Sequence, residues 1–297
     1  MGMINDPLRR LTVGTLRSAA EVSNLAESLR KPGPSGMQTE WAFRGQPGTY
    51  GSLVPAFRRM FPKGGSTSIA TELEAELIRS FRLHYARLYK PSSGLPEPSL
   101  IGGENELACM SVMQHYGVPT RMLDWTKDFW VATYFACSGE HEQDAELWIY
   151  DRRMFWPAGT SAINEQSSPP QEKSQKASTS SFARISDLQG QLLYEMAPVT
   201  SPRLRYQSGH HTVSSDIFAE HAIRLDRLRD NPNNPPSTQP RFRRHLIAKV
   251  AKPNILTYLE QFHGISAASI YPDLEGLSMF LRMQLRSLVT LLHAGEA

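Results

Sequence analysis

The stretch from Lys127 to Cys137 constrains the fold more than any other. Val131, Ala132, Phe135 and Ala136 fall on one side at helical spacing, and charge is nearly absent from the stretch, so the pattern predicts a helix buried among other elements. No apolar run approaches the roughly 18 residues of a membrane span, so protein must supply the cover. Nearby strands are predicted at Trp41 to Gly45, stopped by Gly45 and Pro47, at Thr120 to Trp125, opened by Pro119, and at Glu146 to Asp151. Helices and short strands mix without a regular βαβ rhythm, which makes α+β the expected class. With 297 residues, 40% of them hydrophobic, the chain can bury a sizeable core.

Around this centre, Ser18 and Glu21 form a capping box before a helix ending near Lys31, and Thr71 and Glu74 form another. After the second, Leu73, Leu77, Ile78, Phe81, Tyr85 and Leu88 recur at helical spacing. Leu107, Met110, Met113 and Tyr116 mark a helix that Gly117 ends. Sheet-like segments are expected at Gln191 to Met196, Arg203 to Gln207, His210 to Val213 and His245 to Val250. Two further helices are expected, one from Pro253 to Gly264 and one from Gly276 to His293. Residues 156–181, rich in Ser, Pro and Gln, read as a surface insertion, and 230–240 as a loop. This divides the chain into an N-terminal helical segment, 1–36, and a main domain, 37–297.

Two cysteines and the absence of a long apolar run fit a cytoplasmic protein with no membrane association. No phosphate-binding loop, zincin, zinc-ribbon or hydrolase-elbow motif occurs, and no metal site is expected from the histidine spacing. Ser66-Thr67-Ser68 reads as a loop and cap. Three segments concentrate polar groups. In Phe43-Arg44-Gly45-Gln46, a strand-end arginine beside a glycine suits bidentate binding of phosphate or carboxylate, although a surface arginine at a turn has the same sequence. From Gln114 to Thr126, an amide, an imidazole, a guanidinium, a carboxylate and a hydroxyl crowd a helix-to-strand turn, where Arg121 and Asp124 could pair. The third segment is Tyr206 to His211. The net charge of +3 forces no nucleic-acid reading. Residues 201–250 nevertheless hold nine Lys or Arg against four Asp or Glu, and Arg203, Arg205, Arg241, Arg243 and Arg244 would suit a polyanion.

Trp41-Ala-Phe-Arg-Gly-Gln46, then Leu53, Pro55 and Arg58, Gln114 to Thr126, Ala132 to Ala136, and Gly264-Ile265 with Ile270 to Gly276, resemble the FRG domain family, named for its Phe-Arg-Gly motif. A fainter resemblance is to arginine-class ADP-ribosyltransferases. It implies a mixed-sheet core with surrounding helices, NAD as the bound nucleotide, and transfer of ADP-ribose to a protein or nucleic-acid acceptor, as in a toxin or anti-phage effector held by an antitoxin or inhibitor protein. By that resemblance Arg44 holds the NAD phosphates with Phe43, Gly45 and Gln46 around it. Thr126 supports the nicotinamide-ribose end, Tyr116 or Trp125 stacks on a ring, and His115 and Arg121 lie behind. The family's later-strand glutamate corresponds to Gln207, which lacks the charge. Asp124 or Glu195 is then the acid expected to supply it, and a non-catalytic module binding nucleotide or nucleic acid is the alternative.

Overall fold

The structure, a computed structural model, describes residues 8–32, 39–61, 65–91, 96–139, 142–155, 184–188, 192–196, 209–232, 234 and 237–271, with isolated helical positions at 278, 281 and 285. In chain order the elements begin with β1 (Thr12–Leu16), α1 (Ala19–Arg30), β2 (Trp41–Gln46), α2 (Ala56–Arg59) and α3 (Thr67–Leu88). There follow α4 (Pro98–Ile101), α5 (Glu106–His115), β3 (Leu123–Thr126), α6 (Phe129–Cys137), β4 (Ala145–Asp151) and β5 (Leu192–Met196). The last are β6 (Gly209–Ser214), α7 (His221–Arg229), β7 (Phe242–Ile247), α8 (Lys252–His263) and α9 (Ala267–Ile270). The class is α+β. The described strands form one mixed sheet in the order β1-β7-β4-β2-β3-β6-β5, in which β1 and β7 run parallel and the other neighbours antiparallel.

Strand alternation divides the side chains between the two faces of the sheet. On one face Phe43, Leu147, Ile149 and Ile247 pack with Val22 and Leu29 of α1, Ala132 and Ala136 of α6, and Ile255 and Leu259 of α8. The same face is covered further along, where Val213 of β6 meets Met110 and Met113 of α5 and Ile78 and Tyr85 of α3. The other face carries Ala42, Trp125, Trp148, Tyr150 and Phe242 against Ala222 and Leu225 of α7. The buried helix is therefore α6, begun by Asp128, whose side chain accepts from the backbone N–H groups of Trp130 and Val131. Residues 12–30 belong to this sheet and core: β1 pairs with β7, and α1 starts at Ser18, whose hydroxyl accepts from the Glu21 N–H.

Several boundaries differ from expectation. Thr71 lies inside α3, its hydroxyl bonded back to the Thr67 carbonyl at 2.9 Å, and the helix starts after Ser66. Leu73 and Leu88, expected on the buried side, are exposed. The strand after Pro119 starts only at Leu123, because Thr120 is used earlier: its carbonyl accepts from Phe57 N and its hydroxyl from Met122 N. β7 begins three residues before His245, since Arg243 and Arg244 are buried strand residues, and the chain leaves the sheet in a turn at Lys249–Ala251. Gly117 and Gly264, at φ 76° and 64°, end α5 and α8 as left-handed residues. The 156–181 insertion and the Arg203 to Gln207 strand lie outside the described residues, as does the 276–293 helix apart from its isolated positions. Among the described residues no helix is long and apolar enough to cross a membrane.

Candidate functional site

β2 and β3 share a single paired couple, Phe43 with Thr126. From there β2 continues along β4 through Gln46 while β3 continues along β6, and the seam between them opens into a pocket of about 410 Å³. Its apolar wall comes from Phe43, Ala132, Phe135 and Tyr271. Its polar wall comes from Arg44, Ser111, Gln114, His115, Asp124 and His211. β3 thus carries Asp124 on the helix-covered face between α6 and α5, while β6 sets His211 directly opposite it.

Asp124 is the hub of this wall. Its Oδ2 accepts from Gln114 Nε2 at 2.9 Å, and its Oδ1 lies 2.9 Å from His211 Nδ1. This contact has the length of a hydrogen bond without its full alignment. Gln114 is fixed in turn by the Thr120 hydroxyl, and His211 Nε2 by Ser111 Oγ at 3.0 Å. The Asp124 side chain is 54% exposed, but the surface it exposes faces the pocket, where protein still displaces water. That desolvation raises its pKa, yet the contacts with His211, Arg44 and Gln114 outweigh it and hold the carboxyl down at about 2. Because the folded value is below the ordinary one of about 3.9, the charge is lost only as pH falls through about 2.

Arg44 projects from the opposite side of β2 to Phe43 and reaches the pocket through the open seam, where one terminal nitrogen donates to the Asp124 carbonyl at 2.8 Å. Its Nε is buried with no hydrogen-bond partner among the described residues, and burial lowers the guanidinium's pKa more than the Asp124 charge restores it. A guanidinium with unused donors, next to a pocket, can bind an anionic oxygen.

The remaining expected residues divide sharply. Phe43, Gly45, His115, Trp125 and Thr126 line the pocket with Arg44 and Asp124. Gly45, however, serves packing rather than ligand access: a Cβ there would lie 2.0 Å from the Ala132 carbonyl oxygen, so the group that approaches its backbone is α6. Trp125 cannot stack on a ligand ring, because its indole is buried on the opposite face, edge-on to Tyr150 and bonded through Nε1 to the Thr212 hydroxyl at 3.0 Å. Tyr116 is exposed and lies outside the pocket lining. The Thr126 hydroxyl accepts from Asp128 N at 3.0 Å and so helps to start α6.

Gln46 is held by the Ser52 carbonyl and the buried Glu146, away from the pocket. Arg121 pairs not with Asp124 but with buried Glu74, through Nε to both carboxylate oxygens at 2.9 Å, and donates to the Ser214 and Ser215 carbonyls. It is a structural residue. Glu195 of β5 is the backbone partner of His211, two strands from β3. Gln207 lies outside the described residues.

The described arginines of the basic stretch that were expected to bind a polyanion, Arg241, Arg243 and Arg244, do not form an open surface. Arg244 donates to Glu146 at 2.7 Å and lies over Trp148, and Arg243 donates to Gln239 and the Pro240 carbonyl and lies over Trp41. Both are under 5% exposed, and Arg241 approaches buried Asp151 at 3.5 Å. These arginines hold the sheet together and cannot track a nucleic-acid backbone, while Arg203 and Arg205 lie outside the described residues. Among the described residues no group of three or more His, Cys, Asp or Glu is arranged to hold a metal.

Sequence reasoning did not single out Ser111, Gln114, His211, Phe135 or Tyr271 individually as site residues. For His211 a signal existed: alternation along His210 to Val213 puts it on the face of Val213, the apolar face that a covering helix must bury. Ser111 sits inside an apolar helical run with no local mark. Among known proteins, residues 39–145 match the FRG domain, a segment that contains β2, α5, β3, α6 and the seam between the strands. No curated protein and no solved structure gives a significant match.

Proposed function

Taking the FRG domain over residues 39–145 as the premise, we propose that the seam pocket binds NAD and that the protein transfers its ADP-ribose to a macromolecular acceptor. The observation that carries this reading is Arg44: a guanidinium at the end of β2, with a buried, unpartnered Nε, beside a pocket that also holds an ionised carboxylate. The residues fit the nucleotide. Arg44 supplies charge-assisted donors for the diphosphate, Phe43, Phe135 and Tyr271 supply apolar walls for the rings, and Gln114 and His211 hold the Asp124 carboxylate in place.

Bound NAD supplies a glycosidic bond whose cleavage develops positive charge on the ribose. Among the described residues Asp124 is the group best suited to stabilise that charge, because it lines the pocket and remains anionic throughout the physiological range. This assignment does not need a carboxylate at Gln207.

Replacing Arg44 by alanine should weaken NAD binding by about 1.5–3 kcal/mol, the cost of one charge-assisted pair. The fold should survive, since among the described residues the guanidinium's hydrogen bond goes to a backbone carbonyl rather than to a buried carboxylate. Calorimetry on the folded variant checks this, and unchanged NAD affinity would reject the reading of Arg44.

A further inference from the structure

Ser111, His211 and Asp124 lie together on the pocket's polar wall, with His211 Nε2 3.0 Å from Ser111 Oγ and His211 Nδ1 2.9 Å from Asp124 Oδ1. The geometry points to a second chemistry for this pocket: we infer that Ser111 is a nucleophile activated by His211, with Asp124 as the orienting carboxylate, acting on an ester or other acyl electrophile that carries an anionic group. This goes beyond the nucleotide reading and does not depend on it. Such constellations are recognised by geometry and roles rather than by sequence order, and here the members come from α5, β3 and β6.

Three features separate the arrangement from an ordinary buried polar contact. A serine within a helix usually bonds back to its own preceding turn, whereas Ser111 is bonded to an imidazole 100 positions away. Ser111 and His211 are 2% and 3% exposed, yet both line the pocket, so a bound molecule can meet them while bulk water is largely kept away. His211 Nδ1 is buried and has the Asp124 carboxylate 2.9 Å away, while the second carboxylate oxygen is fixed by Gln114. Arg44, on the same pocket, offers the unpartnered donor that an anionic substrate group or a developing oxyanion requires.

In the step inferred, Ser111 Oγ attacks the carbonyl carbon as its proton passes to His211 Nε2. The carbon–oxygen bond to the leaving group then breaks, and His211 returns the proton to the departing oxygen. Water attacks the acyl-serine by the same route, which regenerates Ser111 and releases the acid.

The test is a fluorophosphonate probe, on which Ser111 Oγ would displace fluoride at phosphorus. Native wild-type protein, incubated without NAD, should give one adduct that peptide mapping places on Ser111. The adduct should disappear in Ser111→Ala and in protein unfolded by urea. Labelling should be at least tenfold slower in His211→Gln. Asp124→Asn provides a second variant at the solvent end of these contacts, where little packing is disturbed, and it too should slow labelling at least tenfold. Failure of native wild type to label at Ser111, or labelling as fast in folded Asp124→Asn as in wild type, would overturn the inference. NAD calorimetry on the same wild-type sample reads the nucleotide proposal separately, so either reading can fail without the other.

Discussion

Arg121→Met should lower the stability of the protein by about 3–5 kcal/mol, because it removes one partner of a buried ion pair and leaves the other charged. Arg121 and Glu74 are each 2% exposed, and the guanidinium spends its donors on both Glu74 oxygens and on the carbonyls of Ser214 and Ser215. The pair ties α3 to the end of β6 and to the turn before β3, so its loss loosens the elements that flank the pocket. Thermal melting should show a fall of roughly 6–20 °C for a chain of this size. Replacing Glu74 by methionine as well should recover much of the loss, since two apolar side chains can occupy a site that a lone charge cannot. A single variant as stable as wild type would show that Arg121 is not the structural residue described.

Gly45→Ala should cost about 3 kcal/mol or more. The added carbon would lie 2.0 Å from the Ala132 carbonyl oxygen and 2.4 Å from the Ala136 nitrogen, both of them backbone atoms of α6 that no rotamer change can move. Either α6 lifts from β2, which opens the core around Phe43 and Phe129, or β2 shifts and breaks its register with β4. A melting temperature lowered by at least roughly 6–12 °C is expected. Gly209→Ala is the matched control: its added carbon would meet only the Trp125 carbonyl oxygen at 3.8 Å, an ordinary contact, and it should leave the melting temperature nearly unchanged. Equal stability of the two variants would contradict the close packing of α6 on β2.

These two residues also show how far the sequence can be read. Gly45 and Arg121 both lie in segments that local pattern marks as unusual, and α6, β2 and β4 follow from apolar runs and their stops. What local pattern does not carry is the partner. Arg121 and Asp124 are three residues apart and of opposite charge, yet Arg121 lies before the strand and turns to Glu74, 47 positions away, while Asp124 faces His211 across the sheet. Arg241 and the arginines of β7 look like a basic patch because their acidic and aromatic partners, Glu146, Asp151, Trp41 and Trp148, lie some 90 to 200 positions earlier in the chain. The pocket is legible for a different reason: Arg44 and Asp124 lie on neighbouring strands whose pairing stops after one couple, and both segments carry polar groups that a plain core strand would not. Ser111 was hidden because it occupies a helix position whose neighbours Met110 and Val112 are core.

Nicotinamide release from NAD, followed by mass spectrometry with wild type and Asp124→Asn side by side, tests the central claim most directly. Wild type should release nicotinamide, and the isosteric amide should slow release by on the order of a hundredfold because the charge opposite the developing cation is lost. Its melting temperature should stay close to wild type, since the carboxylate is 54% exposed and the amide oxygen can still accept from Gln114 Nε2. Absence of release by wild type, or an equal rate from folded Asp124→Asn, would contradict the account.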